Sequence, residues 1–165
     1  MEIYYNNEGP AGKYIMQELN VPGEKGTPEA LAEYESLGKK RIHWMDNINM
    51  PGCNQINTSW YFEANRDRIL NGAPIGDPAL RLQTHKHASD EIICYYGSDP
   101  DDPYNLNAEI EMILDGKTYI ITKSTLIYVP AGMVHSTPVV NKLTKPVFHF
   151  SMVMSPEYDF IEVDE

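Results

Sequence analysis

Histidine is scarce in this chain. It occurs at positions 43, 85, 87, 135 and 149, and three of these stand in two short segments with a chemical logic. The first segment is His85-Lys86-His87-Ala88-Ser89-Asp90-Glu91. On a strand, residues i and i+2 face the same side about 6.6 Å apart. Two imidazoles so placed can converge on one metal ion through bonds of about 2.1 Å. Ala88-Ser89-Asp90 can turn the chain and let Glu91 enter the same site from the next strand. The second segment is Pro130-Ala131-Gly132-Met133-Val134-His135. Its Pro and Gly predict a tight turn that places His135 at the start of a further strand. Three neutral imidazoles and a carboxylate leave open positions on an octahedral ion, and a site of net charge about +1 that suits an anionic oxygen ligand.

The pattern HxHxxxE at His85, His87 and Glu91, followed by PxGxxH at Pro130, Gly132 and His135, resembles the two motifs of the cupin superfamily. The resemblance covers residues 81–154. It implies a double-stranded β-helix, or jelly-roll barrel, with one divalent ion (Fe, Mn, Ni, Zn or Cu) held by His85, His87, Glu91 and His135. Asp115-Gly116 falls where many cupins have a hairpin between the motifs. Ala79, Ser124 and Val139 stand where the family often has Gly, Gly and Asn, and the Gly closing the first motif comes one residue early, as Gly97. Oxygenases, decarboxylases, isomerases and lyases all occur among cupins, as do non-catalytic modules that bind small ligands. The expected function is therefore a metal-dependent enzyme acting on a small carboxylate- or enolate-bearing molecule, with a binding module as the alternative.

Other side chains are candidates for the same pocket. If Glu91 points inward, strand alternation sends Ile93 and Tyr95 inward and Cys94 away. Tyr95 is then either a pocket phenol or barrel packing. His149, in Val147-Phe148-His149-Phe150-Ser151, is either a hydrogen-bonded core residue or a pocket acid or base. Arg81 and Gln83 share the face of His85 and His87. Arg81 either binds a substrate carboxylate or sits at the solvated rim. His43 beside Trp44 carries no chemical pattern. The stretch Trp60–Phe62 and the eight Met residues are expected to fill core and interface.

The elements that must position these residues are short strands. Candidates are Ser59–Ala64, Arg81–His87, Glu91–Tyr96, Ala108–Leu114, Lys117–Thr122, Leu126–Val129, Val134–Val140 and Pro146–Met154, rich in β-branched and aromatic residues and separated by turn signals. Asp-Gly between two alternating runs is a hairpin signal. Gly97–Asn107, with its Pro and Asp residues, reads as an acidic surface loop. Such a pattern predicts an all-β fold. Residues 1–58 read as an arm with one short helix at Pro28–Leu37, capped by Thr27 and stopped by Gly38, with Lys39-Lys40-Arg41 as its cationic end. Residues 59–165 would form the barrel. The arm would cover the sheet or a partner subunit, with Glu2–Tyr5 and Arg41–Asp46 able to extend a neighbour's sheet in a homodimer.

Composition bounds the rest. The 165 residues include 24 Asp and Glu against 13 Lys and Arg, a net charge of −11. Phosphate backbones and anionic membranes select basic patches, so neither nucleic acid nor membrane is an expected partner. The N-terminal residues show no basic-then-apolar leader pattern. Cys53 and Cys94 form neither a CxxC nor a disulfide framework, so a reducing, cytoplasmic setting is expected.

Overall fold

The computed structural model describes residues 2–3, 5–70 and 84–163. Arg81 and Gln83, named above, lie outside the described residues. Helix α1, Pro28–Ser36, starts as its sequence dictates: Pro28 opens the first turn and the Thr27 hydroxyl accepts a hydrogen bond from the Ala30 N–H at 3.2 Å. Gly38 stops it with φ +69°, a conformation that favours glycine, and a Cβ there would meet Glu63 at 2.8 Å. Lys39-Lys40-Arg41 is not the end of this helix. It opens strand β1, Lys39–Met45, which pairs antiparallel with β2, Gln55–Tyr61. Strand β2 runs across the expected division at residues 58 and 59, and both strands belong to the main sheet.

The remaining strands are β3 (Thr84–Lys86), β4 (Glu91–Gly97), β5 (Asn105–Leu114), β6 (Lys117–Lys123), β7 (Thr125–Val129), β8 (His135–Ser136), β9 (Val139–Leu143), β10 (Val147–Val153) and β11 (Ile161–Glu162). One sheet has the order β1-β2-β10-β4-β7. The other has the order β11-β3-β8-β5-β6, with β9 also paired to β5. All pairings are antiparallel. Asp115 and Gly116 both take positive φ, 49° and 70°, as a two-residue hairpin between β5 and β6 requires. The expected strand Val134–Val140 is split at Thr137-Pro138 into β8 and β9, because proline has no N–H for the ladder.

A second helix, α2 at Arg66–Leu70, was not expected, since five residues are too few to show a helical period. Asn65 ties it down, donating to the Leu37 carbonyl at 3.2 Å and accepting from the Val140 N–H at 2.8 Å. The core lies between the sheets and includes Tyr61, Ile93, Leu106, Ile110, Met112, Val129, Val140 and Val147. Of the aromatic stretch, Tyr61 enters this core. Trp60 packs edge-on against Phe148 on the outer face, at 5.3 Å between ring centroids, and Phe62 is exposed. Among the described residues no helix is long and apolar enough to cross a membrane.

Candidate metal centre

The two motif segments meet through strand pairing. His85 lies on β3 and His135 opens β8, and the two are direct cross-strand partners. His87 follows the last residue of β3 on the same face as His85, and Glu91 opens β4. The turns that deliver them are tied together. Gly132, at φ +79°, donates its N–H to the His87 carbonyl at 2.8 Å. Asp90 accepts from the Ala131 N–H at 2.8 Å and from the Tyr128 hydroxyl at 2.8 Å. Those bonds, the Ala131 N–H first, hold the Asp90 carboxyl below its ordinary pKa.

His85, His87 and His135 are buried, and one ring nitrogen from each lies within 4.8 Å of the others. Glu91, also buried, joins them: its Oε2 is 3.3 Å from His87 Nε2 and 3.0 Å from His135 Nε2. The opposite ring nitrogens are already committed. His87 Nδ1 bonds the Asp159 carbonyl and His135 Nδ1 bonds the Met133 carbonyl at 3.1 Å. A carbonyl only accepts, so each Nδ1 carries the hydrogen and each Nε2 presents a lone pair. Glu91 Oε2 therefore faces two acceptor nitrogens, at 3.3 and 3.0 Å. His87 Nε2, His135 Nε2 and Glu91 Oε2 have no aligned hydrogen-bond partner. Neighbouring ligands on an octahedral ion with bonds of about 2.1 Å are about 3.0 Å apart, so the residues fit a small cation.

Charge within the cluster follows. Burial raises the Glu91 pKa, but His135 and His87, when protonated at Nε2, donate to it and hold the carboxyl down at about 2. Burial lowers the His87 pKa, and Glu91 with Asp159 outweighs it, giving a net rise.

Residues 158–162 pack over the cluster, and nothing in the sequence reading anticipated them. Phe160 stacks on His85 at 4.3 Å with 19° between the rings. Tyr158 packs on His87 at 5.3 Å, and the Asp159 carboxylate accepts from the Ala88 N–H at 2.6 Å. Strand β11 pairs with β3 and holds this strap in place. A Tyr-Asp-Phe-Ile run after the last expected strand was the available signal.

A cavity of about 80 Å³ adjoins the cluster. It is lined by His85, Glu91 and His135, and also by Lys39, Asn57, Tyr95, His149 and Ser151. The Tyr95 hydroxyl bonds the Met112 sulfur at 3.3 Å, and burial with the nearby Glu91 charge holds the phenol neutral, well above its ordinary pKa. His149 Nδ1 bonds the Cys94 carbonyl at 3.0 Å, and its ring stacks on Tyr95 at 5.0 Å. Burial, with Lys39 nearby, pushes its pKa down to about 3, so it is a neutral wall residue. His43 stays away from the site, 3.4 Å from the Thr58 hydroxyl.

Solved structures share this architecture. Two structures of oxalate oxidase, one holding the substrate analogue glycolate, superpose with a TM-score of 0.50 at 13% identity. The match covers 92% of this chain and 64% of theirs, so the chain spans about two thirds or slightly less of their length. The chain has the cupin fold. An RmlC-like cupin from Shewanella frigidimarina NCIMB 400 is 12% identical with a TM-score of 0.42, over 84% of this chain and 85% of that one. No protein-family model and no curated protein matches the sequence. In this chain the two sequence motifs bring His85, His87 and His135 together, and the strap and the Lys39 side of the cavity are what the motifs do not contain.

Proposed function

We propose that the chain is a metal-dependent enzyme, in which His85, His87, Glu91 and His135 hold one divalent ion and the adjoining cavity receives a small molecule bearing a carboxylate or enolate. The convergence of Glu91 Oε2 with two Nε2 lone pairs carries this reading. Without a cation or protons at their centre these acceptors repel one another. A bound divalent ion supplies Lewis-acid polarisation of a substrate oxygen, or a redox centre. The chain supplies the rest. The Met133 and Asp159 carbonyls fix the tautomer and aim of two imidazoles. Phe160 and Tyr158 exclude water, and Glu91 stays ionised. Oxygenase, decarboxylase, isomerase and lyase chemistry all suit such a site.

Elemental analysis of protein purified without a chelating tag tests this. The expected result is one divalent ion per wild-type chain and far less in His135→Ala. Equal metal content in the two proteins overturns it. If the metal-loaded protein turns over no candidate substrate, the chain is a binding module instead. We also propose a homodimer, formed by a second copy adding to the open edge of β1, the outer strand of its sheet among the described residues. Light scattering at micromolar concentration that gives the mass of one chain rejects it.

A further inference from the structure

Two cations are buried inside this barrel with no carboxylate to answer them. Lys39 is 5% exposed and Arg41 is 8% exposed, and neither forms an ion pair with any Asp or Glu among the described residues. They stand two apart on β1 and so share its inward face, while Lys40 between them is exposed. What surrounds them is aromatic. Lys39 Nζ lies 4.6 Å from the Tyr34 ring centroid and 4.8 Å from that of Tyr61. The Arg41 guanidinium lies 4.3 Å from Tyr34 and 5.0 Å from Trp44. Such contacts offset only part of the cost of taking a full charge out of water.

Strand β2 beside them is built the same way. Its buried face is Gln55, Asn57, Ser59 and Tyr61, and the Gln55 Oε1, Asn57 Oδ1 and Ser59 Oγ, with Arg41 Nε, have no hydrogen-bond partner. Native interiors leave few polar atoms unsatisfied, and here four lie on two adjacent strands. Lys39 and Asn57 line the same cavity as His85, Glu91 and His135. The two cations also pull the Tyr34 phenol down to about 8, against the opposing effect of burial.

We infer that the β1–β2 side of the cavity is an anion-binding wall, in which Lys39, backed by Arg41 and helped by Asn57 and Tyr61, receives a carboxylate of the ligand. If the metal-centre reading holds, the opposite end of the same ligand meets the ion. The ligand class is then a short acid with two oxygen-bearing ends, a dicarboxylate or a 2-oxo or 2-hydroxy acid. A cavity of about 80 Å³ admits only a few heavy atoms beyond its carboxylates. The second end rests on the proposed function, but the wall does not.

The test uses the full chain stripped of metal with EDTA, titrated with malonate and with uncharged malonamide by calorimetry. Wild-type protein should bind malonate and not malonamide. Lys39→Met keeps the stem, removes the charge, and should weaken malonate binding at least tenfold. Lys39→Arg should retain it within a few-fold. Metal content of Lys39→Met should equal that of wild type. Equal malonate affinity in wild type and Lys39→Met overturns the inference, as does equal binding of malonate and malonamide. So does the absence of malonate binding to wild type at tens of millimolar. The wild-type comparison needs no variant to fold, and Arg41→Gln, expected to weaken malonate several-fold, gives a second. Failure of the metal centre would show in the His135→Ala metal analysis and would leave the stripped-protein titration unchanged.

Discussion

The three buried acceptors of His87, His135 and Glu91 separate a ligand from a histidine that merely packs. His87 and His135 each spend Nδ1–H on a carbonyl and turn Nε2 toward a carboxylate oxygen. His149 also spends Nδ1–H on a carbonyl but stacks on Tyr95, away from that convergence. Two opposite outcomes follow. His135→Ala should lose metal and leave the barrel folded. His149→Gln should keep metal and change the pH dependence of stability. The unfolded chain protonates this histidine near its ordinary pKa of 6.5, whereas the folded chain does so only near 3. Between those values the unfolded state binds more protons, so its contribution destabilises the fold as pH falls from 6.5 toward 3. At pH 5 the cost is about 2 kcal/mol. Urea titrations of metal-stripped protein at pH 7 and pH 5 should show wild type losing about that much more than His149→Gln. Parallel losses in the two proteins would count against a buried neutral His149.

At the scale of elements, what the sequence made legible was whatever obeys a period. The ligands sit at strand spacing or beside a Pro-Gly turn, the Asp-Gly hairpin has the required φ signs, and Thr27-Pro28 marks a helix start. Two elements defeated the same rules. Strand β2 buries Gln55, Asn57 and Ser59 and turns Trp60 outward, the reverse of apolar-in alternation, and Asn57 on its inner face lines the cavity. Lys39-Lys40-Arg41 resembles a cationic helix end, and only the left-handed Gly38 before it makes it a strand. The strap was illegible for another reason: its grip on His87 is a backbone carbonyl, which every residue carries. Its Phe160 ring is specific, however, and stacks on His85. Phe160→Ala should weaken metal binding by about 10–100-fold, the usual effect of freeing a ligand's supports. Competition with a fluorescent chelator would measure it, and an unchanged affinity would show that the strap only shields the site.

For the whole molecule, the question is whether metal holds the barrel together or the barrel holds the metal. The core answers for the second. Ile110 on β5 is fully buried, pairs with Ile121 on one side and Val140 on the other, and belongs to a cluster drawn from both sheets. A structural zinc domain behaves differently, since its core cannot stand without the ion. Here the EDTA-treated protein should keep its far-ultraviolet circular dichroism and unfold cooperatively, at a temperature lowered only by the loss of binding free energy. Ile110→Ala should act in the converse sense. Removing a fully buried isoleucine side chain to Cβ costs about 2–5 kcal/mol. In a domain of this size that lowers Tm by roughly 5–15 °C. Its metal content, measured below the new Tm, should match wild type, because the ligands are aligned by turns and the strap. A stripped protein without secondary structure, or an Ile110→Ala protein that stays folded and has lost its metal, would reverse this order of dependence.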